Sequence, residues 1–206
     1  MKKDQKITEE MTCPICGYKG EFKPFGLILR RNALCPRCTS LERHRLIWLY
    51  LKSKTNFFQK RLKVLHFSPN PSLSSQFKKL GNLEYMPVNE KGVQVNITDT
   101  HFEDSCFDTV IASHVLEHIW DETQALKEIF RILKPGGWAI LQVPIVGEET
   151  KEFKVRAKSD HVRDYGLDFK DRLEKIGFKT KFTKLPFNNY KKFGILPKVV
   201  CVVIKP

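Results

Sequence analysis

The sequence predicts an α/β fold with an open parallel sheet, preceded by a small cysteine-bound module. Three observations carry this. Between Phe107 and Gly137 the chain reads FDTVIASHVLEHIWDETQALKEIFRILKPGG. An apolar run (Thr109 to Ala112) stops at Ser113 and His114, and a stretch of period near 3.6 follows with Ala125, Leu126, Ile129, Phe130 and Leu133 on one face. Lys134-Pro135-Gly136-Gly137 ends that helix, and Trp138 to Val143 is a second apolar run, which makes a β-α-β unit. The alternation also stands upstream, with Arg61 to Phe67 as a strand, Ser72 to Leu80 as a helix closed by Gly81, and Leu83 to Val88 as a strand. Finally, two Cys-x-x-Cys pairs precede all of this.

A chain of 206 residues and 24.0 kDa has room for one α/β domain and a small accessory module. The expected division is a metal-binding ribbon over 1–38, a linking helix over 39–60 and the main domain over 61–206. Met1 to Glu10 is charged and lacks the apolar core of a leader, and no run is long enough to span a membrane. The expectation is a soluble, cytoplasmic protein. The net charge of +13 suits a polyanionic partner, because Lys and Arg release counterions from phosphates, but it suits a lysine-rich solvated surface equally.

Cys13-Pro14-Ile15-Cys16 and Cys35-Pro36-Arg37-Cys38 have the spacing of a structural zinc site. Each pair offers two thiolates from one turn, and two turns complete the tetrahedral four-sulfur shell that zinc prefers. With no open position left, the metal replaces a core that some 40 residues cannot supply. Phe22, Phe25 and Leu27 between the pairs suit a hairpin. Lys19, Lys23, Arg30, Arg31 and Arg37 supply charge for nucleic acid, or simply surround a ribbon that packs on its own chain. Thr39 and Glu42 form a candidate capping box for a helix with Leu46, Ile47, Leu49, Tyr50 and Leu51 on its apolar face. Arg43, His44 and Arg45 near its start read as a solvated face or as structural hydrogen-bonding groups.

The central block resembles the second half of a class I S-adenosylmethionine-dependent methyltransferase of the type 11 kind, and the resemblance spans roughly Arg61 to Pro206. It implies a Rossmann-like sheet of seven strands, with S-adenosylmethionine as cofactor. Where the family has an acidic residue and a glycine-rich loop, this chain has His66 and then Ser68, Asn70 and Ser72. Asn tolerates left-handed backbone and Ser is small, so the loop still turns. Leu65-His66-Phe67-Ser68-Pro69, together with the Cys-Pro-Ile-Cys-Gly turn and Ser-Leu-Glu-Arg-His-Arg after the second pair, resembles a subgroup with a variant cofactor loop. The resemblance puts Asn89 and Glu90 at the ribose and Asn96, in a third strand over Val93 to Ile97, near the adenine, with Asp99 close behind. Ser113 and His114 at the end of the central strand complete the cofactor set.

Methyl transfer from a sulfonium is an in-line displacement, in which the protein chiefly aligns the partners and supplies a base only if the nucleophile keeps a proton. Candidates are His114, Glu117 and His118, with Asp160, His161, Arg163 and Tyr165 from a second polar stretch. His114, His161 and Tyr165 are the leading catalytic candidates, as base or orienting groups. The acceptor class stays open between RNA and a small molecule. His114 to His118 also spells His-x-x-Glu-His, a metalloprotease pattern, but it enters from a strand and runs towards KPGG, which does not suit that class. The charged segment from Gly147 to Asp160 reads as a lid or a surface loop. Leu167 to Ile176 is a helix ending at Gly177, and Phe178 to Leu185 and Val199 to Ile204 are a terminal antiparallel strand pair. A second function class is also compatible, a non-catalytic nucleic-acid-binding or scaffold protein whose cofactor loop has lost its glycines.

Overall fold

A computed structural model describes residues 10–26, 29–89, 94–157, 160–186, 190, 192–195 and 199–206. The chain divides into two compact units, one gathering residues 1–58, 70–76 and 184–199, the other 59–69, 77–183 and 200–206.

In the first unit, β1 (Met11–Thr12) pairs with β2 (Lys19–Gly20) and β3 (Lys23–Phe25) with β4 (Arg30–Leu34), both antiparallel. Phe22 is buried, Phe25 is exposed, and Leu27 lies outside the described residues. Helix α1 (Glu42–Lys54) starts later than the expected Thr39–Glu42 box. Thr39 has a φ of 59° and closes a cysteine turn, so it cannot cap. The amide of Leu41 donates instead to Nδ1 of His44 at 3.1 Å, while Glu42 accepts from Arg30 at 2.9 Å. Arg45 is fully buried and donates to the carbonyls of Ala33, Ser40, Phe193 and Gly194. Its guanidinium lies over the Phe22 ring, 4.6 Å from the centroid. Of the two readings for this basic triplet, His44 and Arg45 take the structural one.

The second unit is built on β5 (Leu62–Phe67); in chain order come α2 (Pro71–Phe77), whose residues 71–76 belong to the first unit, then β6 (Leu83–Val88), β7 (Phe107–Ser113), α3 (Glu122–Ile132) and β8 (Leu133–Gln142). Then come β9 (Ile145–Gly147), β10 (Lys151–Glu152), β11 (Arg163–Gly166), α4 (Phe169–Ile176), β12 (Lys179–Lys184) and β13 (Val199–Ile204). The main sheet has the order β12-β13-β8-β7-β5-β6. Strands β6, β5, β7 and β8 are parallel, and β13 runs antiparallel to β8. Near-continuous burial of β5 and β7 is what strands covered on both faces require. Asp121 caps α3 by accepting from the amide of Gln124 at 2.9 Å, and the apolar stripe Ala125, Leu126, Ile129 joins the core. Gly177, with a φ of 109°, ends α4 as expected.

Three expectations need correction. The sheet has six strands among the described residues, not seven, and 94–97 makes no ladder. The carboxamide of Asn89 takes both backbone groups of Val95, accepting from its amide at 2.7 Å and donating to its carbonyl at 2.9 Å, and Asn96 turns back to bridge Asp99. Helix α2 stops at Phe77 rather than Leu80, because tight turns at Leu80 and Leu83 lead the chain into β6. Finally, Gly147 to Asp160 is not a plain loop. Strand β11 pairs with β9 and β10 to give a separate three-stranded sheet. There Gly166 is required, since a Cβ would collide with the backbone of Glu148 and Glu149.

Candidate active site

Three adjacent parallel strands, β6, β5 and β7, end alike. The residue after each is left-handed without being glycine, with φ of 45° at Ser68, 57° at Asn89 and 56° at His114. Such a residue costs about 1–2 kcal/mol, and this kind of strain gathers at functional sites. The turns are held by bonds from the Ser68 amide to the Val88 carbonyl (2.9 Å) and from the His114 amide to the Gln142 carbonyl (2.8 Å). Together with Val95, Asn96, Ile97, Val115, His118 and Ile119, the three residues line a cavity of about 330 Å³. That is a small-molecule size, at the carboxyl ends where open α/β sheets bind ligands. A larger hollow of about 550 Å³ sits at the opposite ends of the strands, where Lys63–Glu84 and Lys134–Asp108 pairs line it.

The expected cofactor residues divide. Ser68, Asn89, Asn96 and His114 line the cavity, whereas Ser113, the last residue of β7, is not among its lining residues and its hydroxyl has no partner among the described residues. His66 also stays out of the cavity and is buried, with Nδ1 2.9 Å from the Tyr85 hydroxyl and its ring packed near Phe77. Burial alone pulls its pKa down to about 3, so it is a neutral core imidazole. Asn70 caps α2, its side chain accepting from the Ser72 amide at 2.9 Å. The Asn96 side chain accepts from the Thr98 amide and hydroxyl, at 3.1 and 2.9 Å. Glu90 lies outside the described residues.

The two polar stretches meet beside the cavity. After His114 the chain makes one turn of 3-10 helix, Leu116–His118, so the His-x-x-Glu-His run has no long helix on which to align its histidines. Nδ1 of His114 is 2.9 Å from Oε1 of the fully buried Glu117. Nδ1 of His118 is 3.0 Å from the Asp160 carbonyl, Nδ1 of His161 is 3.3 Å from Oδ1 of Asp164, and the two rings stand 5.1 Å apart. Arg163 ties the stretches together, donating to the carbonyls of Leu116 (2.8 Å), Ile119 (2.6 Å) and Trp120 (2.9 Å) while Glu152 accepts from its Nε. The Val162 amide adds a bond to the Glu117 carbonyl at 2.8 Å. Tyr165 is buried against Phe169, and burial foremost drives its phenol well above the usual range. A phenol held neutral in this way does not suit the expected role of base. Arg163 carries more of this geometry than composition suggests; its only sequence signal is its place among polar neighbours between two strand-like ends.

The cysteines converge in the first unit. Gly17 and Thr39 take equivalent left-handed places, each amide bonded at 2.9 Å to the carbonyl of the first cysteine of its pair. The sulfurs of Cys13 and Cys38 are 3.6 Å apart and those of Cys16 and Cys35 3.7 Å. A zinc–sulfur bond of about 2.3 Å puts tetrahedral sulfurs about 3.8 Å apart, so the donor set fits zinc; a disulfide needs about 2.05 Å. Ser40 stands 3.4 Å from the sulfur of Cys13 and 3.2 Å from that of Cys38. Arg45, buried among carbonyl acceptors, is the cation that the negative charge of a zinc–tetrathiolate centre would balance.

Residues 52–141 match the family described as Methyltransferase domain. The chain is 30% identical over 126 residues to an uncharacterized protein of Methanocaldococcus jannaschii, covering 59% of this chain and 52% of that one. It is also 30% identical over 125 residues to a ubiquinone/menaquinone biosynthesis C-methyltransferase of Pasteurella multocida, covering 61% and 32%. The chain thus spans about half or less of these relatives' length. Its fold is shared with a SAM dependent methyltransferase from Archaeoglobus fulgidus, at a TM-score of 0.54 and 14% identity over 82% of this chain and 96% of that one.

Proposed function

We propose that the chain is a class I S-adenosylmethionine-dependent methyltransferase and that it transfers the cofactor's methyl group to a small-molecule acceptor held beside His118 and His161. The observation that carries the reading is the set of left-handed turns at Ser68, Asn89 and His114 around one cavity. Of the residues at the family's glycine places, Ser68 takes the left-handed backbone that a glycine would supply, whereas Asn70 and Ser72 do not. This speaks for a working variant of the loop and against a degenerate scaffold.

S-adenosylmethionine would supply a methyl group on a positively charged sulfur, itself a good leaving group. The chain's residues then bind and align. Val95, Ile97 and Val115 offer an apolar wall, and Asn96 with Glu90 and Asn89 the polar partners that the resemblance implies for adenine and ribose. His114, fixed by Glu117, orients the cofactor side, and His161, fixed by Asp164, orients the acceptor's nucleophile. Tyr165 packs behind them as support.

A structural zinc on Cys13, Cys16, Cys35 and Cys38 completes the proposal. A small molecule is favoured over RNA because two of the five ribbon cations are engaged internally, Arg30 paired to Glu42 and Arg37 lying over Tyr18 and donating to the Cys16 carbonyl. The test is calorimetric titration of S-adenosylmethionine into zinc-loaded protein. Micromolar binding is expected; no binding of either S-adenosylmethionine or S-adenosylhomocysteine would overturn the reading.

A further inference from the structure

We propose that Glu117, His118 and His161 form a second metal site, for a divalent ion of the zinc kind, at the rim of the cofactor cavity. One ligand atom from each of the three lies within 4.8 Å of the others. Two imidazoles and one carboxylate are a donor set of catalytic zinc centres, where three protein ligands leave a coordination position open.

Two further observations point to an ion. Each histidine has its Nδ1 occupied, His118 by the Asp160 carbonyl and His161 by the Asp164 carboxylate. This is the outer support that metal-bound histidines have, and it leaves each Nε2 as the free donor nitrogen. Glu117 is also fully buried, and its Oε2 has no hydrogen-bond partner among the described residues. An oxygen so placed is costly unless something positive or proton-bearing meets it. The backbone is already fixed for this purpose, since Arg163 holds the carbonyls on both sides of His118 and the Val162 amide holds that of Glu117. The ligands come from both polar stretches, and the set differs from that of the His-x-x-Glu-His pattern, because His114 pairs with Glu117 and His161 replaces it. The histidines are part-exposed, 34% for the His118 side chain and 20% for His161, so the open position faces outward. His118 also lines the cavity. An ion there would hold an oxygen, nitrogen or sulfur nucleophile of the acceptor beside the cofactor. The inference therefore goes beyond the methyl-transfer reading.

The experiment is zinc counting on the full chain, dialysed against buffered zinc without cofactor. Two ions per chain are expected for the native protein and one for His161→Ala, with the ribbon ion retained. Asp164→Asn should keep both ligands but lower affinity at the second site by about ten-fold or more. Cobalt replacement separates the sites, because the thiolate centre gives a sulfur-to-metal charge-transfer band that a histidine–carboxylate centre lacks. The native-minus-His161→Ala difference spectrum should show ligand-field bands without charge transfer. One ion in the native protein, or an unchanged count in a folded His161→Ala chain, would refute the site. Cofactor binding is measured separately on the same samples, so a missing second ion with intact S-adenosylmethionine binding sinks this inference alone, and the reverse result sinks only the methyl-transfer reading.

Discussion

Left-handed residues serve both compact units, but to different ends. In the ribbon, Gly17 and Thr39 close two matching turns whose output is four convergent sulfurs. In the second unit, Ser68, Asn89 and His114 end three parallel strands around open space. The first pair of turns serves a metal-ready cluster; the second set faces a cavity, and at its non-glycine residues the backbone strain is of the kind found at binding sites. A single backbone device thus frames a cysteine cluster in one unit and lines a cavity in the other.

The contrast can be broken most severely at the sulfurs. Chelator treatment or Cys35→Ser should remove apparent stability on the order of 10 kcal/mol from the ribbon, read as loss of its cooperative melt together with its zinc. Replacing Arg45 by Met should cost about 3 kcal/mol in urea unfolding, since the carbonyls of Ala33, Ser40 and Phe193 lose a buried donor. In the second unit His66 gives a pH signature. Its folded pKa is depressed to about 3 from 6.5, so the unfolded chain binds the proton first and stability falls as pH drops from 6.5 towards 3. Between pH 6.5 and 4.5 this amounts to about 2 kcal/mol, which His66→Gln should abolish. Glu128, held down to about 2 by Arg131 from an ordinary 4.5, adds its own loss only further into acid.

At the strand ends, Ser68→Val should weaken S-adenosylhomocysteine binding by about 1–3 kcal/mol, because a branched side chain resists positive φ, while Ser68→Gly should bind at least as well as the native chain. Equal titrations for the two would remove the backbone argument for the cavity. The smallest effect is the sharpest comparison. Thr39→Gly, restoring the residue that the first turn already has in Gly17, should stabilise the ribbon by about 1 kcal/mol in thermal melts.

The sequence made parts of this plain and hid others for physical reasons. The β-α-β unit from β7 to β8 and the four cysteines are local patterns, a period of 3.6 and a fixed spacing, so they were legible. The placement of His66 was not. It occupies a position that resemblance gives to the cofactor, yet its ring turns to Tyr85 in the next strand, and no neighbour in sequence records that choice. The missing strand over 94–97 had the same origin, since a distant carboxamide, that of Asn89, satisfies Val95 in place of a ladder. Arg163 was visible as a polar residue, but its three carbonyl partners lie 43 to 47 positions away.

That distance also has a meaning in time. Closing a loop of this length costs about 3 kcal/mol of chain entropy before any of the arginine's bonds can form. Contacts of this kind come late in folding, after the central strands have paired, and open early when the native state fluctuates. The amide of Val162, bonded to Glu117 across the same closure, should therefore exchange its hydrogen faster than the amides of β7, although both are buried. On the proposed function, a maturing chain would then own a place for its cofactor before it owns a place for its acceptor.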